Sequence, residues 1–395
     1  MAASKIQIPL KVVIHKQEER VLYAEANSDF VHIDILFSFL TMPMGTIVRL
    51  LSRPASNSSQ QPTIGSLNNL YKSVANLEAK YFAQGACKDI LLNTRNSAED
   101  ECRKLKINVN DISPIEYYTC EDMDCTEKSY TAFFSMYDGV KCKNCSKMLN
   151  RCANIHNIFE NDVQGVFVNP AESFLITNDL HVIPNVTASI LETSESTDIE
   201  VLEEKTLQIG WSEILDLLKY SILSRTPLTS SRRESIITDK SVQSLSSLMS
   251  TEEIIITDKL VQSLNSHMST EEIISFKKME VKVLVQKSKN KIILVHSSED
   301  FIEFLFSFLP LPLGRVIGLV GKGYAPALSV ENLHQSVSNL RVDGYFNWKE
   351  MKDMLLSPKL SMLYQCPEQL FPLEEDRIPK FCQMKAGLPR ILGQV

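Results

Sequence analysis

The N-terminus of this chain lacks the marks of a secretion signal. MAASKIQIPLKVVIHK has no basic head followed by an uninterrupted apolar run, because Pro9 and Lys11 break the only stretch that would serve. A membrane-crossing run is lacking too. The longest uncharged apolar stretch, Ile35 to Val48, holds 14 residues and includes Pro43 and Gly45, too few to cross a hydrocarbon core of about 30 Å as a helix. Positive charge is not in excess either: the net charge is −7 and the pI 5.6, so no global field gathers nucleic acid or anionic lipid at the surface. These absences predict a soluble intracellular protein, cytoplasmic or nuclear, with no membrane among its partners.

The signatures of common enzymes are also absent. There is no G-x-S-x-G, no G-x-G-x-x-G after a strand, no H-E-x-x-H and no D-x-D-G calcium loop. The nearest phosphate-loop fragment, GLVGKG at 318–323, lacks the spacing such a loop needs and reads as a turn after a helix.

What is present starts with size. At 395 residues the chain is long enough for two or three domains, each burying its own core. An apolar fraction of 44% with 23% charged residues is that of an ordinary globular protein. Nine cysteines in a chain without a secretion signal are expected to be reduced, so clustered ones read as metal ligands before disulfides.

From the N-terminus, apolar runs Ile6 to Ile14 and Val21 to Ala26 flank the charged KQEER and predict a β-hairpin. Asn27, Ser28 and Asp29 can cap a helix start, after which Phe30, Ile33, Phe37, Leu40, Met44, Ile47 and Leu51 recur at helical spacing on one face. Pro43 interrupts that face, predicting a helix over 29–41 and a second one kinked away from near Pro43. Arg53 to Gly65 reads as a surface loop, Leu67 to Leu77 as an amphipathic helix, and Ile115 to Thr119 as a short strand. Acidic, Ser/Thr-rich Thr193 to Lys205 predicts a loop, and Ile209 to Leu223 a helix.

Much of this order is written twice. KVVIHKQEERVLYAEANSDF at 11–30 parallels KVLVQKSKNKIILVHSSEDF at 282–301, LFSFLTMPMG at 36–45 parallels LFSFLPLPLG at 305–314, and SLNNLYKSVANL at 66–77 parallels SVENLHQSVSNL at 329–340. KDILL at 88–92 answers KDMLL at 352–356. Such persistence over about 90 residues predicts a duplicated domain. Within LFSFLxxPxG, the Phe and Leu residues form a core face while Pro and Gly turn the chain. His15, His32, His296 and His334 lie in the two copies, but none faces a histidine at its counterpart, which excludes a general base shared by both. A second repeat, ITDKSVQSLSSLMSTEEII at 237–255 followed at once by ITDKLVQSLNSHMSTEEII, reads as a local duplication of a strand-and-helix unit.

The strongest chemical signal is Cys120, Cys125, Cys142 and Cys145, spaced C-x4-C, sixteen residues, then C-x2-C. Two cysteine knuckles on successive hairpin turns can bring four thiolates round a zinc ion, and Tyr130, Phe133, Phe134 and Tyr137 with Asp138-Gly139 suit a hairpin closing on it. Unbound reduced thiols, or a site degenerate in this chain, are the alternatives. Cys152 or His156 could replace one ligand. A four-thiolate site has no open position, so its metal would hold the fold rather than activate water. Lys141, Lys143, Lys147 and Arg151 make one end of the cluster basic, as nucleic-acid binding would need, but Glu121, Asp122, Asp124 and Glu127 oppose them and favour a solvated charged face. Cys366 and Cys382 in the C-terminal part cannot form a second complete site.

The LFSFL-x-x-P-x-G stretch, the NL-x-x-SV-x-NL helix, the cysteine cluster and FLITNDL at 174–180 together resemble a family catalogued as domain of unknown function 674, over about residues 5–372. The resemblance implies a plant protein and carries no activity with it. The tail from Arg377 does not look like the family pattern.

These readings predict an α+β protein. Residues 5–119 and 276–372 would be two duplicated hairpin-plus-helices domains, 120–156 a zinc-ribbon-like insert, 157–275 a mixed middle region holding the tandem units at 237–274, and 373–395 a tail. The function expected is non-enzymatic: an interaction or scaffold module for protein partners, stiffened by structural zinc. A nucleic-acid-associated zinc ribbon, and an enzyme with an unrecognised site, are the alternatives.

Overall fold

The structure, a computed structural model, describes residues 6–26, 31–53, 64–82, 85–105, 107, 109–110, 116–128, 134–142, 144–153, 155–157, 166–168, 173–185, 201–236, 281–286, 291–297, 299–320, 329–361, 381–384 and 391–392. The chain opens with the expected hairpin, β1 (Ile8–His15) and β2 (Arg20–Ala26). Helices α1 (Val31–Thr41) and α2 (Met44–Leu51) follow, broken at Pro43, whose extended backbone precedes α2 and which has no N–H to continue the first helix. After them come α3 (Leu67–Asn76), a 3-10 turn (Ala79–Tyr81), α4 (Gly85–Leu92) and the single turn α5 (Glu99–Cys102).

The central part contributes β3 (Tyr117–Cys120), α6 (Met123–Lys128), β4 (Phe134–Ser135), β5 (Val140–Lys141), β6 (Met148–Ala153) and β7 (Ile155–Asn157). It continues with β8 (Phe174–Thr177), β9 (Val182–Pro184), β10 (Leu202–Ile209), α7 (Trp211–Leu223) and α8 (Pro227–Ile236). A second hairpin, β11 (Val281–Gln286) and β12 (Lys291–Ser297), leads to α9 (Glu299–Phe306), α10 (Leu313–Val320), α11 (Ser329–Asn339), α12 (Val342–Tyr345) and α13 (Lys349–Leu356), then β13 (Phe381–Met384) and β14 (Ile391–Leu392). The class is α+β. The tandem units at 237–274 and Cys366 lie outside the described residues. No helix among the described residues is long and apolar enough to cross a membrane.

The largest sheet is antiparallel throughout, in the order β10-β1-β2-β8-β9. Part of it corrects the expected loop at 193–205: Leu202 to Lys205 belong to β10, which runs the whole length of β1 from Ile8 opposite Ile209 to His15 opposite Leu202. The acidic residues there are those of an edge strand, which tolerates charge because its outer side meets water. Lys11 of β1 binds Glu25 on one neighbour at 3.3 Å and Glu204 on the other at 3.1 Å.

Burial corrects the reading of α1. Helical spacing suggested one apolar face, yet every residue from Ile33 to Thr41 is buried, as happens when a helix is covered on all sides. Covering it are α10, α11 and α13 from the C-terminal part of the chain.

The contacts between the two similar stretches run in reciprocal pairs. Pro43 and Pro312 form an antiparallel bridge, flanked by Met44 N–H donating to Leu311 O and Leu313 N–H donating to Met42 O, both at 2.9 Å. Phe37 stacks on Phe346 at 6.5 Å, and Phe306 on Phe82 at 6.2 Å. Within each stretch the same bonds recur: the Lys88 ammonium caps the carbonyls of Ala75 and Leu77, and that of Lys352 caps Ser338 and Leu340. Tyr71 Oη donates to Leu92 O at 3.1 Å, while His334 Nε2 meets Leu356 O at 3.3 Å. His334 thus occupies a tyrosine's structural place, and burial lowers its pKa. Even the irregularity in the two hairpins matches, with register shifts between Val13 and Ile14 and between Leu284 and Val285.

A buried acid of α1 takes part in joining the two stretches. Asp34 of α1, 2% exposed, accepts the N–H groups of Val166, Phe167 and Val168 at 2.9 to 3.1 Å. That strap in turn bridges to Phe346 and accepts Asn347 N–H at Phe167 O, so Asp34 anchors the segment that ties the two stretches together. Burial pushes its pKa up to about 6, the three amides opposing. A folded-state value above the unfolded one means that this carboxyl stabilises the fold when protonated, and that the stability is lost as pH rises from about 4 through about 6. A rise of that size corresponds to about 3 kcal/mol. Asp34→Asn keeps an acceptor for Phe167 and Val168 but cannot ionise. Urea unfolding of both proteins between pH 4 and pH 7 should find the variant gaining roughly 2 kcal/mol relative to wild type across the range; a constant difference would mean that the buried carboxyl titrates as in the unfolded chain.

Candidate metal centre

The cysteine cluster sits on a small antiparallel sheet of order β4-β3-β6-β5. β3 ends at Cys120, and Glu121 N–H donates to Met148 O at 3.0 Å, fixing the turn that follows. Asp122 then starts α6: its Oδ1 accepts Asp124 N–H at 3.0 Å and Cys125 N–H at 3.4 Å, the bonds by which an aspartate satisfies free amides at a helix start. Cys125 is carried on that first helical turn. The C-x4-C spacing is therefore a strand-to-helix turn, not the hairpin turn expected, and the two residues beyond C-x2-C are those needed to begin the helix.

The second pair does lie on a hairpin. β5 and β6 pair through Val140 opposite Leu149 and Lys141 opposite Met148. Between them Cys142 N–H donates to Lys147 O at 2.6 Å and Ser146 N–H to Cys142 O at 2.8 Å, with Ser146 in the left-handed region at φ 62°. The anticipated hairpin around Asp138-Gly139 is absent among the described residues. β4 pairs with β3 and β5 with β6, and Gly139, at φ 76°, turns the chain from one to the other.

The four sulfur atoms converge, all within 4.8 Å of one another. Cys120 Sγ lies 3.4 Å from Cys145 Sγ, and Cys125 Sγ lies 3.8 Å from Cys142 Sγ. Cys120 and Cys142 are buried, the other two half-buried. Burial pushes the Cys120 thiol up to about 11 and the Cys125 thiol up to about 12, whereas the Lys147 backbone N–H draws Cys145 below the usual thiol range. Asp122 N–H acts in the same direction on Cys120. Each of these amides belongs to the residue two places after its cysteine, so each knuckle places a backbone donor where it favours the thiolate that a metal would need. Four soft donors at this spacing could hold one metal ion.

Cys152 is not part of the group. It lies opposite Tyr118 in the sheet and is exposed; only the backbone of His156, in β7, is described. The basic residues are engaged locally. Lys147 binds Asp122 at 2.8 Å across the two knuckles, and Arg151 Nε donates to Thr119 Oγ1 at 3.2 Å. Lys141 is exposed, and Lys143 lies outside the described residues.

The sequence reading missed how this ribbon is attached. Tyr137, 4% exposed, accepts Arg95 N–H at 3.1 Å and donates to Asn93 O at 3.3 Å, and Ile90 of α4 enters the small core formed with Cys120, Met136, Tyr137, Val140, Cys142 and Leu149. An aromatic hydroxyl just before Asp-Gly was the available signal.

A family model described as "Protein of unknown function (DUF674)" matches residues 4–388, a span that includes most of the tail from Arg377. No curated protein and no solved structure matches the chain.

Proposed function

We propose, for a chain that belongs to the DUF674 family of proteins of unknown function, that Cys120, Cys125, Cys142 and Cys145 hold one structural zinc ion. The protein they stiffen would act without catalysis as an interaction or scaffold module, in the cytoplasm or nucleus of a plant cell. The convergence of the four sulfurs carries the metal reading. Zinc–sulfur bonds near 2.3 Å in a tetrahedron set sulfur–sulfur edges of about 3.8 Å, and the distances of 3.4 and 3.8 Å need only slight adjustment to fit. Such a site leaves zinc no open position at which to activate water.

The reciprocal contacts support reading 5–119 and 276–372 as copies of one duplicated unit, joined like the halves of a two-fold dimer. Among the described residues the packing contacts recur in both stretches whereas the cysteine cluster occurs once, which favours a module that presents surface over one that performs chemistry. Protein partners are favoured over nucleic acid because Lys147 and Arg151 are already bonded within the ribbon. Elemental analysis of the purified full chain should return about one zinc per molecule, and its absence would sink the metal reading. Affinity capture from plant extract should return the same protein partners in replicate. Nuclease-sensitive capture at low salt would instead make nucleic acid the partner.

A further inference from the structure

We propose that the slot between the five-stranded sheet and helices α7 and α8 binds a small apolar molecule with one anionic end, of the class of unbranched alkyl carboxylates. The slot has a volume of about 220 Å³ and is walled by β1, β2, β8, β10, α1, α7 and α8. Leu10, Val21, Leu36 and Ile214 in its wall are each at most 5% exposed. Protein interiors leave few voids larger than a water molecule, and an apolar cavity of roughly 150 Å³ already takes up benzene. A slot of about 220 Å³ therefore has room for a molecule of that size.

The lining and the ends specify the ligand. Lining residues reach from Ile209, opposite Ile8, to Val21, opposite Ile14. Among the described residues the lining holds no aromatic side chain on which a ring could stack and is mostly Leu, Ile and Val, which suits an alkyl chain more than a ring system. Its middle is aliphatic, and polar side chains stand at both ends. At the Ile209 end Gln208 is exposed and Glu213 is committed to its own helix start, accepting Gly210 N–H at 2.9 Å. At the Val21 end stand Ser231 and Arg232. Arg232 donates from Nη1 to Glu19 O at 3.4 Å, a long bond that leaves most of the five guanidinium donors for an anion. The half-buried Leu207, Ile209 and Leu217, between β10 and α7, supply an apolar way in.

Sodium octanoate and octan-1-ol are the probes, titrated calorimetrically into the full chain. Both should bind saturably and compete for about one site. Arg232→Gln should weaken octanoate at least about tenfold while changing octan-1-ol less than about twofold. Leu217→Trp, filling the entry, should abolish both, with circular dichroism reporting whether the variant folds, and Leu207→Phe repeats the block from the opposite wall. Absence of saturable binding of either probe to wild type would overturn the proposal, as would undiminished binding in folded Leu217→Trp and Leu207→Phe proteins. Octanoate affinity unchanged in Arg232→Gln would remove the anionic end and with it the assigned class.

Discussion

Replacing Cys142 by serine is expected to reduce bound metal to below about a tenth of the wild-type content and to unfold the ribbon over 117–153 while the five-stranded sheet persists. Among the described residues, seven buried side chains, two of them cysteines of the cluster, make up the ribbon's core, few for a core that must stand by itself. On the zinc reading, a bound structural ion, worth roughly 10 to 16 kcal/mol in zinc-finger peptides, would supply the missing folding free energy. Serine offers a hydroxyl that stays protonated and is a poor partner for a soft metal site, and at a position 3% exposed it would be buried without a ligand role. The Tyr137 bonds to Asn93 and Arg95 should then be lost as well. The sheet survives because it belongs to a separate, much larger core. Hydrogen exchange read by mass spectrometry, with metal content measured in parallel, tests this. Exchange over 117–153 should rise at least about tenfold, with Cys152→Ser, an exposed change, leaving both readouts as in wild type. Metal retained in Cys142→Ser, or lost equally in Cys152→Ser, would defeat the assignment of ligands.

What could be read in advance, and what could not, follows from the range over which each element is determined. The first hairpin, the break at Pro43 and the cysteine spacing are local, fixed by alternation, by a missing N–H and by knuckle geometry, and they were legible. β10 was not, because its glutamates and lysine are compatible with a loop until β1 is known to lie beside them. The full burial of α1 depends on α10, α11 and α13, which are remote in sequence. Asp34 did leave a trace, as a carboxylate inside the apolar run IDILF, but its three amide partners come from a strap no periodicity would place there. The strand-to-helix form of the first knuckle was likewise encoded in Asp122, a helix-capping residue placed two positions after Cys120.

Gly314→Ala is expected to destabilise the protein by about 2 to 3 kcal/mol, Gly45→Ala by less, and Gly318→Ala to stabilise it by about 0.4 to 1 kcal/mol. A methyl at Gly314 would stand 2.7 Å from Leu355 O and 3.0 Å from Leu40 O, and at Gly45 3.1 Å from Leu91 O and 3.2 Å from Leu309 O. All four obstacles are backbone carbonyls, which cannot rotate aside as a side chain would, so the two helices must move apart. At Gly318, inside α10, the nearest atom is Leu356 O at 3.9 Å, and alanine there only gains helix propensity. Urea unfolding of the three variants gives the ranking directly, and equal effects, or the reverse order, would contradict it. The ranking also separates two readings of LFSFLxxPxG. A motif kept for an outside ligand would tolerate a methyl at its glycine with little loss of stability and lose binding instead. Here the obstacle to each glycine's methyl includes the leucine carbonyl of the opposite elbow, Leu309 for Gly45 and Leu40 for Gly314. Each occurrence of the motif is therefore the other's binding partner, and the glycines are required because two backbones meet where Pro43 faces Pro312.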